Sequence, residues 1–264
     1  MGTSWLNDAG GLRYHARAFR YSKELWQPFR WTLGEWLLGF QPKARTLLLV
    51  GPSGGYCIQP FVFERYERIV CLEPDPIARW VFKRKLRQAP LERQPLLEFI
   101  AEDHLIQHPE KLPRLVENLG DTALMFSNIV GQACVLLGVD EDGPALGAVR
   151  AAVQETISGR AWASFHDRVS GYLRPSFEQP FWCETRMTDE ELTQHLFEGS
   201  QGSTGGPPLA LTCHLTDGFF PEALPHSYFN WELEPGAFHV IEGVFSDATP
   251  AVRGSRKQIL GGNA

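Results

Sequence analysis

No stretch of this 264-residue chain approaches the ~20 consecutive apolar residues that cross a bilayer, so the sequence offers no membrane-spanning helix. Cysteine is scarce and scattered. Cys57, Cys71, Cys134, Cys183 and Cys213 are odd in number and never form a CxxC pair, which argues for reduced thiols and against a zinc–thiolate cluster. An excess of basic charge is missing as well. Lys and Arg total 25 against 31 Asp and Glu, for a net charge of -6 and a pI near 5.8, whereas nucleic-acid surfaces are strongly positive. The basic residues that exist are local: Arg13, Arg17, Arg20, Lys23 and Arg30 near the start, then Arg79, Lys83, Arg84, Lys85 and Arg87. Both groups read first as solvated helix faces. The opening residues lack a basic region followed by an apolar core, so the expected location is the cytoplasm. There is no internal repeat and no second domain core. A hydrophobic content of 43% and a mean hydropathy of -0.21 describe a globule with a sizeable core.

What is present is organised around residues 46–75. Leu47, Leu48, Leu49 and Val50 form an unbroken apolar run, as in a strand buried on both faces of a parallel sheet. Gly51-Pro52-Ser53-Gly54-Gly55 breaks the run, and residues 58–65 are expected to be helical, with Pro60 in the first turn. A second apolar run, 68–72, stops at Glu73. Strand, glycine turn, helix, strand and acid together are the signature of a Rossmann-like nucleotide site. The glycines let backbone approach the ligand, and the carboxylate can accept from both ribose hydroxyls. The spacing is not the strict GxGxxG of dinucleotide dehydrogenases, which makes NAD a distant alternative.

Ahead of this unit, residues 12–40 are dense in aromatics. Ser22 is placed to cap a short helix, and 31–38 reads as a helix packed on the sheet. Downstream, Asp75 caps a helix over 77–87, with Pro76 in its first turn. Strands follow at 96–100, 121–128 and 160–165, separated by helices at 110–118 and 143–157. The third strand ends at Glu102-Asp103, the fourth at Asn128 and the fifth at His166-Asp167-Arg168. Thr188 opens a capping box with Glu191, residues 199–208 read as a mobile loop, and 209–215 as a strand. Glu234-Pro235-Gly236-Ala237 turns strands 228–233 and 238–245 into a hairpin. The expected fold is α/β and doubly wound: a mostly parallel seven-stranded sheet with an antiparallel edge hairpin and an N-terminal helical cap. The expected divisions are a cap (1–45), a catalytic domain (46–245) and a C-terminal tail (246–264).

The glycine turn with an acid about twenty residues on resembles the class I S-adenosylmethionine-dependent methyltransferases, although Ser53 stands where the commoner GxGxG has its second glycine. Ser127-Asn128-Ile129-Val130-Gly131-Gln132, followed later by His166-Asp167-Arg168, resembles a bacterial branch of that family, and this likeness spans nearly the whole chain. It brings no substrate with it. The resemblance implies S-adenosyl-L-methionine as cofactor, held by Gly51, Ser53, Gly54 and Gly55, with the ribose on Glu73. It places Asp103 at the adenine, with Glu102 as rival, and Asn128 beside the sulfonium. It also folds the N-terminal helices over the mouth of the site, where Tyr14, His15 and Tyr21 are the substrate candidates.

His166 is the expected base, with Asp167 orienting it or pairing with Arg168, and Asn128 orienting the substrate. The competing reading of His166 is a structural hydrogen bond. His15, His104, His195, His214, His226 and His239 show no metal-ligand spacing, and no metal is expected. The favoured function is methyl transfer to an oxygen or nitrogen of a small molecule. The alternatives are a methyltransferase acting on RNA or protein, which would use the basic arm, and a non-catalytic binding module. The sequence is silent on oligomeric state.

Overall fold

The computed structural model describes residues 11–197 and 211–247. Two helices, α1 (Gly11–Tyr21) and α2 (Gln27–Gly39), precede the sheet. Strands β1 (Thr46–Val50), β2 (Arg68–Leu72), β3 (Leu96–Ile100), β4 (Thr122–Ser127) and β5 (Trp162–Gly171) are mutually parallel. Beyond them lie β6 (Phe181–Cys183), β7 (Thr212–Cys213), β8 (His226–Glu234) and β9 (Ala237–Ser246). The order across the sheet is β3-β2-β1-β4-β5-β9-β8-β6, with β7 pairing alongside β5. Strand β9 runs antiparallel to both β5 and β8. The connecting helices are α3 (Pro76–Gln88), α4 (Lys111–Leu119), α5 (Ala133–Leu137), α6 (Pro144–Ile157) and α7 (Asp189–Phe197). The expected α/β sheet with its antiparallel edge is present, with nine strands among the described residues rather than seven.

The sheet is packed on both faces. Phe29, Leu33 and Leu37 of α2, with Phe82 and Leu86 of α3, cover one face. Leu112 and Val116 of α4, with Val149 and Val153 of α6, cover the other. This two-sided burial is why β1 and β2 read as unbroken apolar runs. The chain steps outward from β1 through β2 to β3 and then returns to the opposite side of β1 as β4. Such a reversal leaves a crevice at the carboxyl ends of the strands, where ligands of open α/β sheets bind.

Local chemistry accounts for several boundaries. Asp75 Oδ1 accepts from the amides of Ile77 (2.8 Å) and Ala78 (3.4 Å), capping α3. Thr188 and Glu191 bond reciprocally at the start of α7, as a capping box does. Gly236, at φ 82°, turns β8 into β9.

Other expectations are corrected. Residues 58–65 form only a 3₁₀ turn, Pro60–Phe63, not a helix. Ser22 caps nothing: it lies in the turn after α1, and α2 starts at Gln27 with no side-chain cap. Of the strand expected at 209–215, residues 209–210 lie outside the described residues, and the remainder forms only β7, paired with Val169 and Ser170 of β5. β5 does not stop at residue 165 but continues through His166-Asp167-Arg168 to Gly171. The loop read at 199–208 and most of the tail read at 246–264 lie outside the described residues.

Charged residues persist inside β5 because a buried ionic network receives them. Glu242 of β9, with no exposed surface, pairs with Arg186 Nε (3.0 Å), His226 Nδ1 (2.7 Å) and His166 Nε2 (3.3 Å). Arg168, equally buried, reaches Asp189 and Asp217. The arginine and histidine partners outweigh burial and hold the Glu242 carboxyl well below the usual range.

Candidate active site at the strand tips

The glycine turn after β1 is locked to the acid after β2. Glu73 Oε2 accepts from the Ser53 amide (2.8 Å), and Oε1 accepts from the Asp75 amide (3.0 Å). Ser53 sits at φ 49°, which turns its N–H toward that carboxylate. Burial pushes the Glu73 carboxyl up to about 7, against the opposing pull of the two amides. Gly51 and Gly54 belong to the same turn. Gly55, at φ 65°, leaves no room for a Cβ, which would overlap the Phe82 ring. Lys85 of α3 donates to the carbonyls of Gly55 and Ile58 (3.0 Å), so the loop is pinned from beneath. Burial draws the Lys85 ammonium down to about 7.

Helix α1 closes over these tips. His15 is buried and bridges two elements: Nε2 is 2.9 Å from Asp75 Oδ2 and Nδ1 is 2.8 Å from the Tyr56 hydroxyl. A neutral ring satisfies both, donating to Asp75 and accepting from Tyr56. Burial alone would raise the Asp75 carboxyl, but His15 and the α3 amides outweigh it and hold it low. Tyr14, half-buried, sets its hydroxyl 3.7 Å from Cys57 Sγ and its ring 5.9 Å from those of Trp26 and Tyr56. Burial, with Cys57 and Asp167 nearby, pushes the Tyr14 phenol well up, so it stays protonated. Tyr21 is two turns further along and packs on the core, its ring 5.3 Å from the Arg20 guanidinium. Of the three substrate candidates, Tyr14 and His15 reach the strand tips, and Tyr21 is set apart from them.

At the end of β4, Asn128 adopts φ 56°, a left-handed conformation that asparagine tolerates better than most residues. It grips Asp167 at two points. Nδ2 donates to Asp167 Oδ2 (3.0 Å), and Oδ1 accepts from the Asp167 amide (2.7 Å). The other carboxylate oxygen of Asp167 lies 2.9 Å from Nδ1 of His239 on β9. Burial would raise the Asp167 carboxyl, but His239, His214 and Asn128 hold it at about 2. Asp167 is therefore an ionised, buried carboxylate. It fixes His239 with the proton on Nδ1 and the lone pair on Nε2. His214, just past β7, donates from Nδ1 to the Gly131 carbonyl (2.7 Å) and meets Ser170 Oγ through Nε2 (2.9 Å). Gly131 must lack a side chain, since a Cβ would sit 2.5 Å from the Asp167 amide nitrogen.

Strand alternation separates the two residues read as a pair. Asp167 faces the glycine turn, while His166 and Ser164 face the opposite side of the sheet. His166 Nδ1 lies 3.0 Å from Ser164 Oγ, its ring is 5.3 Å from Phe220, and Nε2 meets Glu242. Burial lowers its basicity, with Glu242 opposing. The imidazole that shares the face of Asp167 is His239, which sequence reasoning passed over together with His214. The usable signal was the period-two alternation of β9, which puts His239 on the same face as Ile241, the register partner of Asp167, and so within reach of its carboxylate. At the end of β3, Asp103 Oδ1 accepts from the amides of Leu105 (3.0 Å) and Ile106 (2.8 Å), while Glu102 is exposed and pairs with His104 and Lys111. Replacing His166 with alanine is expected to destabilise the fold by about 2–4 kcal/mol, because it opens the Glu242 network. Cofactor affinity and turnover should stay within about threefold of the parent, well short of the loss that removing a base brings. Thermal melting and steady-state assay of the variant check both.

No protein-family model matches the chain, and no curated protein sequence matches it. Similar solved structures include the amino pentose methyltransferase CalS10 from Micromonospora echinaspora, at 19% identity and TM-score 0.35, covering 59% of this chain and 56% of that one. A SAM-dependent methyltransferase from Anabaena variabilis matches at 13% identity and TM-score 0.48, over 91% of this chain and 93% of that one. A SAM-dependent methyltransferase from Aquifex aeolicus matches at 11% identity and TM-score 0.39, over 88% and 97%. The match to CalS10 thus spans little more than half of that protein's length.

Proposed function

We propose that this chain is an S-adenosyl-L-methionine-dependent methyltransferase acting on a hydroxyl or amine of a small molecule. The observation that carries the reading is the paired arrangement at the strand tips. Glu73 is locked to the glycine turn after β1, Asn128 and His239 hold Asp167 at the tips of β4 and β5, and Tyr14 reaches Cys57 just past the turn. The residues fit the cofactor. Each oxygen of Glu73 spends one acceptor site on a backbone amide, and a carboxylate oxygen has a second one for a ribose hydroxyl. Gly51, Gly54 and Gly55 keep the turn close to the ligand, and the Ser53 hydroxyl is the partner for the methionine carboxylate. Asp103 would take the adenine amino group through the oxygen that does not cap its own turn.

When bound, the cofactor supplies a methyl group already activated by a positive sulfur. The chain's part is alignment, which can contribute roughly 7–11 kcal/mol, together with removal of the acceptor's proton. His239 Nε2 takes that proton. Asp167 holds the ring and stabilises the imidazolium, and Asn128 holds Asp167. Helix α1, within the 1–45 cap, lines the acceptor side through Tyr14, while His15 ties the helix to Asp75 and Tyr56.

The rival reading, action on RNA or protein, needs free basic side chains, and several are already engaged. Arg17 bonds Glu234 (3.0 Å), Arg30 bonds the Ser22 carbonyl (2.7 Å) and Lys85 is buried under the glycine turn. The test is transfer of isotope-labelled methyl from S-adenosyl-L-methionine to separate pools of small hydroxylated compounds, small amines, total RNA and protein. Label in a small-molecule pool is expected. Label confined to RNA or protein overturns the substrate class.

A further inference from the structure

We propose that Asp167, His214 and His239 form a binding site for one divalent transition-metal ion, with zinc the best fit by ligand type. This inference goes beyond methyl transfer and stands whether or not the chain transfers a methyl group. The three side chains come from β5, the segment after β7, and β9, and one ligand atom from each lies within 4.8 Å of the others. Asp167 and His214 are buried, and His239 is half-buried. Two imidazoles and one carboxylate are a donor set that zinc takes in open three-ligand sites, with bonds of about 2.0–2.2 Å. With tetrahedral geometry, two such ligands on one ion sit about 3.3–3.5 Å apart. The 2.9 Å between His239 Nδ1 and Asp167 Oδ1 would open by about half an ångström, and the wider spacing to His214 would close, as the ion entered.

The surrounding hydrogen bonds are those a metal site requires. Metal-ligating histidines give their other N–H to a carbonyl or carboxylate, which fixes the tautomer and the ring plane. His214 does this with the Gly131 carbonyl at 2.7 Å, leaving Nε2 as the donor atom. Ser170 Oγ, 2.9 Å from that nitrogen, would turn aside for the ion. Asn128 fixes the Asp167 carboxylate through Oδ2, so Oδ1 remains the coordinating oxygen. His239 retains 17% side-chain exposure, which leaves an approach for a fourth ligand. In the metal-free chain the proton between His239 and Asp167 occupies the place of the ion. The ion would take the Nδ1 lone pair and leave the ring proton on Nε2, so a chain with the ion bound cannot use that nitrogen as a proton acceptor.

The full chain, stripped with a chelator, would be dialysed against Co²⁺ and Zn²⁺, and bound metal counted by atomic emission. About one ion per chain is expected, with the intense visible absorption of four-coordinate Co²⁺. His214→Ala and His239→Ala should each weaken Co²⁺ binding by about a hundredfold or more. His166→Ala, whose imidazole lies in the separate Glu242 network, should bind as the parent does. His239→Cys, followed by circular dichroism to confirm folding, should add a thiolate-to-cobalt charge-transfer band. Absence of saturable binding in the parent overturns the proposal. So does an unchanged spectrum and stoichiometry in both His239 variants.

Discussion

His239→Ala is expected to lower the rate of methyl transfer by about 10²–10⁴, the span that general-base removal commonly costs. The effect should fall on turnover and leave cofactor affinity near that of the parent, because the ring bonds Asp167 and not the glycine turn. Adding imidazole to the assay should restore part of the lost rate, since a small base can enter the space of the missing ring. The geometry motivates the size of the effect. A fully buried, ionised carboxylate gripped twice by Asn128 is costly to maintain unless it holds something, and what it holds is one nitrogen of His239. His166→Ala is the internal contrast: it removes a more deeply buried imidazole that points to the other side of the sheet. A His239→Ala rate within about threefold of the parent would deny His239 the proton-accepting role.

Glu73→Ala is expected to weaken binding of S-adenosyl-L-methionine and of its demethylated product by roughly a hundredfold. Two hydrogen bonds to a charged acceptor are lost, each worth about 1.5 kcal/mol or more. The pH dependence carries more information than the magnitude. In the free chain burial holds the Glu73 carboxyl near 7. Ribose hydroxyls donating to it favour the ionised form, so binding lowers that value and releases a proton wherever the free group is protonated. Affinity should therefore rise as pH increases through about 7, by up to tenfold per pH unit below that point, and level off above it. Stability of the cofactor-free chain should move the other way. The folded-state value lies above the ordinary 4.5, so the folded chain binds more protons than the unfolded one between the two, and stability from this group falls as pH rises through that window. Glu73→Gln removes the proton and should flatten both dependences, while Lys85 continues to titrate in the parent and variant alike.

How much of this was legible in the sequence depended on whether the decisive interaction was local. The runs at 47–50 and 68–72 are apolar on both faces and surface as β1 and β2 within a residue. Asp75 and the Thr188–Glu191 box bond amides two or three residues away, so the residue types alone announce them. The acid after β2 was visible for the same reason. The segment 58–65 was misread because its conformation is set from outside: Lys85 takes the Ile58 carbonyl, and Gln59 is extended before the 3₁₀ turn. β5 runs past residue 165, where the apolar pattern stops, through His166-Asp167-Arg168 to Gly171. Glu242 receives His166, Asp189 and Asp217 receive Arg168, and Asn128 and His239 receive Asp167; none of these partners is near in sequence. His239 stands 72 residues from Asp167 and meets it only because β9 inserts beside β5. Pairing of that kind is written in sheet order, not in spacing.

Titration calorimetry of the full chain with S-adenosyl-L-homocysteine at pH 8 tests the central claim most directly. A saturable one-to-one isotherm is expected, weakened about a hundredfold in Glu73→Ala. Absence of heat and of any other sign of binding, or an affinity indifferent to Glu73, would contradict a nucleoside seated at the tips of β1 and β2.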